Sequence, residues 1–280
     1  MLRLKLTVAY DGQPWNGWQS QPSGATVQDK LEAALGELAG CAVSVQGSGR
    51  TDAGVHAHAQ VAHADVPPAM KLAPQAWIRA INVRLPHSIR VRQVEEVSPS
   101  FHARFSAIGK VYEYRLWRAN VLCPFEAGRV WHLYGALDSE RLRQGTELLC
   151  GTHNFARLSA NRGDLTEDER REDAEGLTRT ISRADVHDEG DVLRLEFEGD
   201  GFLYKMVRMM VGSLIHVARG REPLSWLRDL MEDPTGNKTN QTAPASGLYL
   251  VRVLYDDALA TGQQPNACRT EQPKSPSFDA

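Results

Sequence analysis

Apolar and polar residues alternate at the start of the chain. The apolar positions are Leu4, Leu6, Val8 and Tyr10, and charged or polar side chains separate most of them. A period of two predicts a β-strand with one face buried against a core. Because this segment alternates and carries charge, we interpret it as a strand and not as a signal peptide.

A period of three to four residues follows a loop, residues 11–24, that is rich in Gly, Pro, Trp and Gln. The apolar stripe consists of Val27, Leu31, Leu35 and Leu38. This spacing predicts an amphipathic helix. Thr26 and Asp29 resemble a capping pair at its start, and Gly40 suits its C-terminal end. We therefore expect a helix between Thr26 and Gly40.

The rest of the chain continues as alternating strands and helices. Strands are predicted within residues 43–54, 55–66, 88–97, 110–117, 180–187, 192–198 and 248–255, and helices within residues 74–85, 138–150, 202–218 and 223–231. The order of strand, helix, strands and helix occurs twice. It predicts an α+β fold of two similar domains with antiparallel sheets flanked by helices, meeting near residue 105.

The domain boundaries follow from this order. We expect an N-terminal α+β domain at 1–105, a C-terminal α+β domain at 106–257 and a tail at 258–280. The tail is rich in Gln, Pro, Ser, Asn and Thr, a composition typical of disorder. An acidic segment, 164–175, is interpreted as a surface insertion.

No apolar run of the sequence is long enough to span a bilayer, so a cytoplasmic location is expected. The four cysteines are Cys41, Cys123, Cys150 and Cys268. None of them forms a Cys-x-x-Cys pair, which argues against a zinc site or a disulfide framework. We expect free, buried thiols.

The net charge of −3 argues at first against a nucleic-acid ligand. Its distribution changes that view, because residues 77–131 contain nine Lys and Arg against four Glu. A local cationic excess is what contacts with phosphates require. Solvated strand edges would account for the same charges, and both interpretations stay open on this ground.

A glycine-rich loop contains the strongest candidate for chemistry. Gly47, Gly49 and Gly54 flank Arg50, Thr51 and Asp52. Dense glycine permits tight turns and close approach of a ligand, and would present Asp52 at a loop apex. The nearby charge of Arg50 favours the ionised carboxylate that a nucleophile needs. From these residues alone, an Asp that caps a turn is the alternative.

The neighbouring residues favour the catalytic interpretation. Residues Gly49 to Ala57 resemble the active-site signature of the tRNA pseudouridine synthases of the TruA family. Further segments resemble motifs of the same family, in the same order: residues 10–19, 24–31, 101–105, 110–115, 201–208 and 243–250. The resemblance extends from about Leu4 to Tyr255.

This resemblance implies a function and a fold. Family members convert uridine to pseudouridine at positions 38, 39 and 40, in the anticodon arm of tRNA. They work as homodimers without a metal or an organic cofactor, and their active-site cleft lies between two domains. Carried over, Asp52 is the nucleophile, Tyr112 packs against the target uracil and Arg208 is the ionic partner of Asp52. Arg50 helps to hold the loop and the position that the base leaves.

These roles agree with elementary physical chemistry. A target base must leave its stack, at a cost of a few kcal/mol. An aromatic ring such as Tyr112 offers the extracted base a surface worth about 1–3 kcal/mol. A guanidinium such as Arg208 makes a directed pair with a carboxylate. Without the motifs, a core tyrosine and a solvated helix face would be the simpler interpretations.

Two further groups allow more than one interpretation. His56, His58 and His63 fall on a predicted strand, and His56 and His58 share a face that could bind a metal. No acid or cysteine completes a ligand set, so we expect no metal site. Trp15 and Trp18 could stack on RNA bases or anchor their loop, and the sequence favours neither.

Two rival functions are weighed against the isomerase. A hydrolase with Asp52 as its nucleophile would need a metal or a second catalytic carboxylate. The motif offers one acid, which favours an isomerase that keeps water away from the detached base. A non-catalytic RNA-binding module would have lost the acid or its arginine, yet Asp52, Tyr112 and Arg208 are all present.

Overall fold

The computed structural model describes residues 1–161 and 176–256. The acidic segment and the C-terminal tail named above lie outside these ranges. Within them the chain forms ten β-strands and five α-helices. The α+β class predicted from the sequence is confirmed.

The strands follow the predicted order closely. They are β1 (Leu2–Tyr10), β2 (Val45–Gly47), β3 (His56–Val66), β4 (Ile89–Val97), β5 (Ala107–Trp117), β6 (Trp131–His132), β7 (Gly151–Asn154), β8 (Thr178–Glu189), β9 (Val192–Gly199) and β10 (Leu248–Tyr255). The short strands β6 and β7 have no signal in the hydrophobic pattern, because two to four residues are too few to establish a period.

The helices are α1 (Val27–Ala39), α2 (Pro74–Arg84), α3 (Ser139–Leu148), α4 (Met206–Ala218) and α5 (Leu224–Glu232). Helices α1 and α2 pack on each other and against β2 and β4, whereas α3, α4 and α5 pack together, with α3 against β8. In the part of the chain that the structure describes, none of the helices has both the length and the apolar character that crossing a membrane requires.

All ten strands belong to one sheet, in the order β4-β1-β3-β10-β5-β9-β8-β7, with β2 beside β3 and β6 beside β5. Neighbours are antiparallel except at two contacts, β3 with β10 and β5 with β6. The parallel contact of β3 and β10, where Tyr249 lies opposite His56, joins the first four strands to the rest. The domain boundary near residue 105 falls between β4 and β5 and stays a prediction.

The parallel contact determines where the site forms. Parallel neighbours begin at the same edge of a sheet, so the segments that precede β3 and β10 lie side by side. Asp52 lies in the first segment and Ala243 in the second. The sequence pattern could not reveal this, since it gives no pairing between strands so distant in the chain.

The first strand and the first helix form as predicted. The apolar side chains of β1 are buried, which confirms its alternation. Helix α1 begins after Thr26, whose hydroxyl accepts a hydrogen bond from the Asp29 backbone N–H at 3.3 Å. Helix α3 begins likewise after Asp138, whose carboxylate accepts from the N–H groups of Glu140 and Arg141. Side-chain caps replace hydrogen bonds that the first turn of a helix lacks.

Helix α4 begins later than the pattern predicts, at Met206 instead of Phe202. Lys205 immediately before it has a φ of 59°, in the left-handed region. Among the described non-glycine residues it alone has a positive φ, and such a conformation cannot belong to a right-handed helix. The apolar stripe runs on through Phe202 and Leu203, so periodicity gave no sign of this break.

The prediction of buried thiols is wrong. Cys41 and Cys150 are exposed and Cys123 is partly exposed, while Cys268 lies outside the described residues. Cys41 and Cys150 each follow the end of a helix. Such connections run over the protein surface, where their backbone groups can reach water.

Replacing Thr26 with Ala should lower the free energy of unfolding by about 1 kcal/mol, because the first turn of α1 loses its cap. Thr26→Ser keeps a hydroxyl and should retain most of the stability. Urea unfolding followed by circular dichroism measures both variants. Equal stability of Thr26→Ala and the unchanged protein would contradict the capping role.

Candidate active site

A cleft of about 1070 Å³ opens where the two parts of the sheet meet. Its walls come from the Asp52 loop, the turn at residues 102–105, the start of β5 and residues 202–208. These segments are far apart in the chain. The parallel pairing of β3 with β10 and the antiparallel pairing of β10 with β5 bring them together.

Asp52 and Arg208 form an ion pair in this cleft. Arg208 Nη1 donates to Asp52 Oδ2 at 2.6 Å, and the two side chains are 15% and 20% exposed. Arg208 is the third residue of α4, and its Nε donates to the Ala243 carbonyl at 2.9 Å. The guanidinium is therefore held at two points and gives the carboxylate a fixed direction. The proximity predicted for this pair is observed.

Tyr112 lies on β5 and lines the same cleft. Its side chain is 8% exposed, and its ring meets Phe202 edge to face with centroids 5.0 Å apart. Burial raises the pKa of the Tyr112 phenol, and the charge of Asp52 adds to this shift. Tyr112 thus stays neutral at physiological pH and presents a fixed aromatic surface near Asp52.

Arg50 also lines the cleft, and its Nε donates to Gln19 Oε1 at 3.1 Å. This bond links the Asp52 loop to the opening loop, which is in keeping with the predicted role of Arg50 in holding the loop. The ion pair of Asp52 described above is made with Arg208.

The opening loop determines the shape of the Asp52 loop. Trp18 N–H donates to the Thr51 carbonyl at 3.1 Å, and the hydroxyls of Tyr10 and Thr51 are hydrogen-bonded at 2.9 Å. Gly12 lies so close that a Cβ there would be 2.1 Å from the Val55 carbonyl oxygen. Only glycine allows this approach, so the opening motif serves to position Asp52.

The tryptophans of the opening loop act as anchors. Trp18 is 1% exposed and packs on Gly47, where a Cβ would lie 2.5 Å from the indole ring. Trp15 is partly buried, and its indole N–H donates to Ser88 Oγ at 3.2 Å. Both observations favour anchoring over stacking on RNA.

The histidines serve the packing of these loops. The rings of His56 and His58 stack against Tyr249, with centroids 4.6 and 5.1 Å away. His56 Nδ1 accepts from the Gly12 N–H at 3.1 Å, and burial lowers the pKa of His56. Burial lowers the pKa of His63 to about 4, and its Nδ1 accepts from the Ala103 N–H.

Across residues 1–161 and 176–256, no group of three or more His, Cys, Asp or Glu is placed to hold a metal ion.

The cleft is strongly cationic. Among its described lining residues the basic side chains are Arg50, Arg104, Lys110, Lys205 and Arg208, and the acidic side chain is Asp52. Clefts of one sign concentrate ligands of the other, so this one suits a polyanion.

The source of this charge differs from the prediction. Of the nine basic residues counted in 77–131, only Arg104 and Lys110 line the cleft. Others pair elsewhere, such as Arg84 with Glu37 and Arg118 with Asp188. The cationic field is therefore assembled from several segments, which a linear charge count cannot show.

Sequence reasoning named no site role for Arg104, Phe105, Lys110 or Lys205, which also line the cleft. All four lie in segments that resemble family motifs, residues 101–105, 110–115 and 201–208. Lys110 had a further signal, because it precedes Tyr112 by two residues on a strand and both side chains share a face. The left-handed backbone of Lys205 had none, because it is a property of the folded chain.

A cationic cleft, a carboxylate held by an arginine and an adjacent tyrosine define the site of an enzyme for a polyanionic substrate. A family model described as tRNA pseudouridine synthase matches residues 6–106 and 146–256. The chain therefore belongs to the tRNA pseudouridine synthase family and is an isomerase. This confirms the resemblance found in the motifs.

Related proteins agree along almost the whole chain. The chain is 46% identical to tRNA pseudouridine synthase A of Akkermansia muciniphila, covering 92% of this chain and 96% of the relative. It is 40% identical to tRNA pseudouridine synthase A of a Geobacillus species, covering 91% and 99%. It is 37% identical to tRNA pseudouridine synthase A of Bordetella petrii, covering 91% and 92%.

Replacing Gly12 with Ala should displace the Asp52 loop, because the new Cβ would clash with the Val55 carbonyl. We expect a loss of about 1–3 kcal/mol in the free energy of unfolding and a fall in isomerase activity of about 10²-fold. Gly24→Ala is the control: its φ of 63° should cost an alanine about 1–2 kcal/mol of stability. Its Cβ meets nothing within 4 Å, so the activity should be retained. Thermal unfolding and turnover measure both variants, and full activity in Gly12→Ala would contradict this positioning.

Proposed function

We propose that this protein isomerises uridine to pseudouridine at positions 38, 39 and 40 in the anticodon arm of tRNA, with Asp52 as the nucleophile. The observation that carries the proposal is the 2.6 Å pair of Asp52 and Arg208 in a cleft shared with Tyr112. The names of the relatives support tRNA as the substrate. The resemblance of the motifs supports the positions in the anticodon arm.

The number of carboxylates favours isomerisation over hydrolysis. The reaction breaks the N-glycosidic bond, turns the uracil and re-forms a bond to the ribose through carbon. Glycoside hydrolases usually need two carboxylates, one of which activates water. Among the described residues that line the cleft, Asp52 is the sole acid. A nucleophile without a second carboxylate suits a reaction from which water must be kept out.

Each residue of the site has a role in this proposal. Asp52 attacks the substrate, and Arg208 orients its carboxylate while bonded to the Ala243 carbonyl. Tyr112 packs against the extracted uracil, which offsets part of the cost of leaving the stack. Arg50 holds the loop through Gln19 and helps to hold the position that the base leaves.

The proposal extends to the state of the enzyme. It works as a cytoplasmic homodimer, without a metal or an organic cofactor, as the resemblance to the TruA family implies. The cations of the cleft would bind the phosphates of the substrate without a bridging metal ion. Activity on an unmodified tRNA transcript in the presence of a chelator tests this part.

Replacing Asp52 with Asn should lower pseudouridine formation by about 10⁴-fold or more, because the amide is not a nucleophile. The variant keeps the shape of the side chain, so tRNA binding should be largely retained. Chemical mapping of pseudouridine in an unmodified tRNA transcript, with filter binding alongside, measures both quantities. Full activity in Asp52→Asn would refute the assignment of the nucleophile.

The products of the same reaction distinguish the isomerase from a hydrolase. An isomerase leaves the RNA with pseudouridine and releases no base, whereas a hydrolase releases free uracil. Detection of uracil, or a requirement for a divalent metal, would favour the hydrolase over the function proposed.

The affinity for tRNA should fall steeply as salt rises, because the cations of the cleft release counterions when they bind phosphates. With about four phosphate contacts, the logarithm of the affinity should fall with a slope near −3 against the logarithm of salt concentration. Filter binding over a range of salt concentrations gives the slope. A flat response would count against RNA as the ligand.

A further inference from the structure

Phe105 is an exposed aromatic residue inside a cationic cleft. Its side chain is 59% exposed. Of the large apolar side chains that the described residues leave exposed, it alone lines the cleft. An apolar ring that leaves most of its surface in water beside a polyanion site points to a ligand that covers it.

The turn that carries Phe105 is rigid. His102 Nδ1 accepts hydrogen bonds from the N–H groups of Arg104 and Phe105, at 3.1 and 3.2 Å. Ser106 N–H donates to the His102 carbonyl at 2.9 Å, and its Oγ accepts from the His102 N–H at 3.0 Å. These four hydrogen bonds therefore hold the backbone that carries the exposed ring.

Two further contacts fix this turn to the body of the protein. Ala103 N–H donates to His63 Nδ1 at 3.1 Å, and the Tyr255 hydroxyl donates to the Ala103 carbonyl at 2.6 Å. His102 Nε2 lies 2.9 Å from Gln46 Oε1. A ring that is presented on a fixed backbone loses little conformational entropy when it binds.

The surroundings of the ring suit a nucleobase. The His102 ring lies 4.3 Å from that of Phe105, and the Arg104 guanidinium lies 5.9 Å from it. Arg104 and Lys110 line the same cleft. An aromatic ring beside cations is the combination with which proteins bind unpaired nucleic acid: bases stack on the ring, and the cations follow the backbone.

Phe105 and Tyr112 differ in depth. Tyr112 is nearly buried, whereas Phe105 is mostly exposed. We assign a different base to each ring, because one ring is buried and the other is open to solvent. Phe105 and Tyr112 are thus two separate aromatic surfaces among the residues that line the cleft.

We propose that Phe105 forms a second nucleobase-binding subsite, on which an unpaired base other than the reacting uridine stacks. The proposal rests on the proposed function, because it takes tRNA as the occupant of the cleft. The subsite contributes to binding and register of the RNA, and takes no part in bond making or breaking.

Binding of an unmodified tRNA transcript tests the subsite, in the Asp52→Asn background so that no turnover occurs. Phe105→Ala should raise the Kd by about five- to 150-fold, the loss expected for one stacked base. Phe105→Tyr and Phe105→Trp keep a ring and should stay within about threefold of the parent. Phe105→Leu is apolar without a ring and should behave like Phe105→Ala.

The matched control is Phe125→Ala, the same change at a side chain that is 83% exposed and lies outside the cleft lining. Its Kd should stay within about twofold of the parent. The salt dependence of binding should keep its slope in every Phe105 variant, because stacking releases no counterions. Circular dichroism confirms that each variant is folded.

Several outcomes would overturn the subsite. These are an unchanged Kd in Phe105→Ala, equal weakening in Phe105→Ala and Phe125→Ala, or affinity retained by Phe105→Leu. A change in oligomeric mass with unchanged Kd would assign the ring to a protein interface instead. If the unchanged protein forms pseudouridine while Phe105→Ala binds normally, the subsite fails alone. If it forms none, the proposed function fails.

Discussion

The ion pair of Asp52 and Arg208 is the interaction on which the rest of the site depends. It connects the loop before β3 to the first turn of α4, two segments that are far apart in the sequence. Both side chains are mostly withdrawn from solvent, so removing either partner would leave a poorly solvated charge. The second bond of Arg208, to the Ala243 carbonyl, ties the segment before β10 to the same point. Three parts of the chain thus meet at one guanidinium.

The site combines a rigid carboxylate with an excess of positive charge. Arg50, Arg104, Lys110 and Lys205 line one cleft with a single acid among its described lining residues. This charge suits the cleft to phosphates before the substrate arrives. Lys205, which lines the same cleft, has a left-handed backbone. Strained conformations of this kind often occur at functional sites. Phe105 adds an exposed ring on a fixed turn. The cationic side chains and the exposed ring are features that suit the binding of an RNA strand.

Local rules account for much of what the sequence predicted correctly. The cap at Thr26, the end of α1 before Gly40 and the alternation of β1 involve neighbours within a few residues, so one segment contains the whole signal. The predictions fail where contacts between distant segments determine the structure. Helix α4 begins after Lys205 although its apolar stripe runs further back, and Cys41 and Cys150 are exposed although their residue type is usually buried.

Local patterns in the sequence were enough to predict the α+β class and most of the elements, and its motifs were enough to predict the family. The motifs also drew attention to Asp52, Tyr112 and Arg208, which the fold brings to one cleft. The folded chain was needed to see that the charge of the cleft comes from several segments, that Trp18 is a buried anchor and that Phe105 is exposed in the cleft. For the cleft, the physical reason is the pairing of β10 with both β3 and β5. Hydrophobic period and capping residues act over a few positions, whereas that pairing brings together segments whose partners no local pattern specifies.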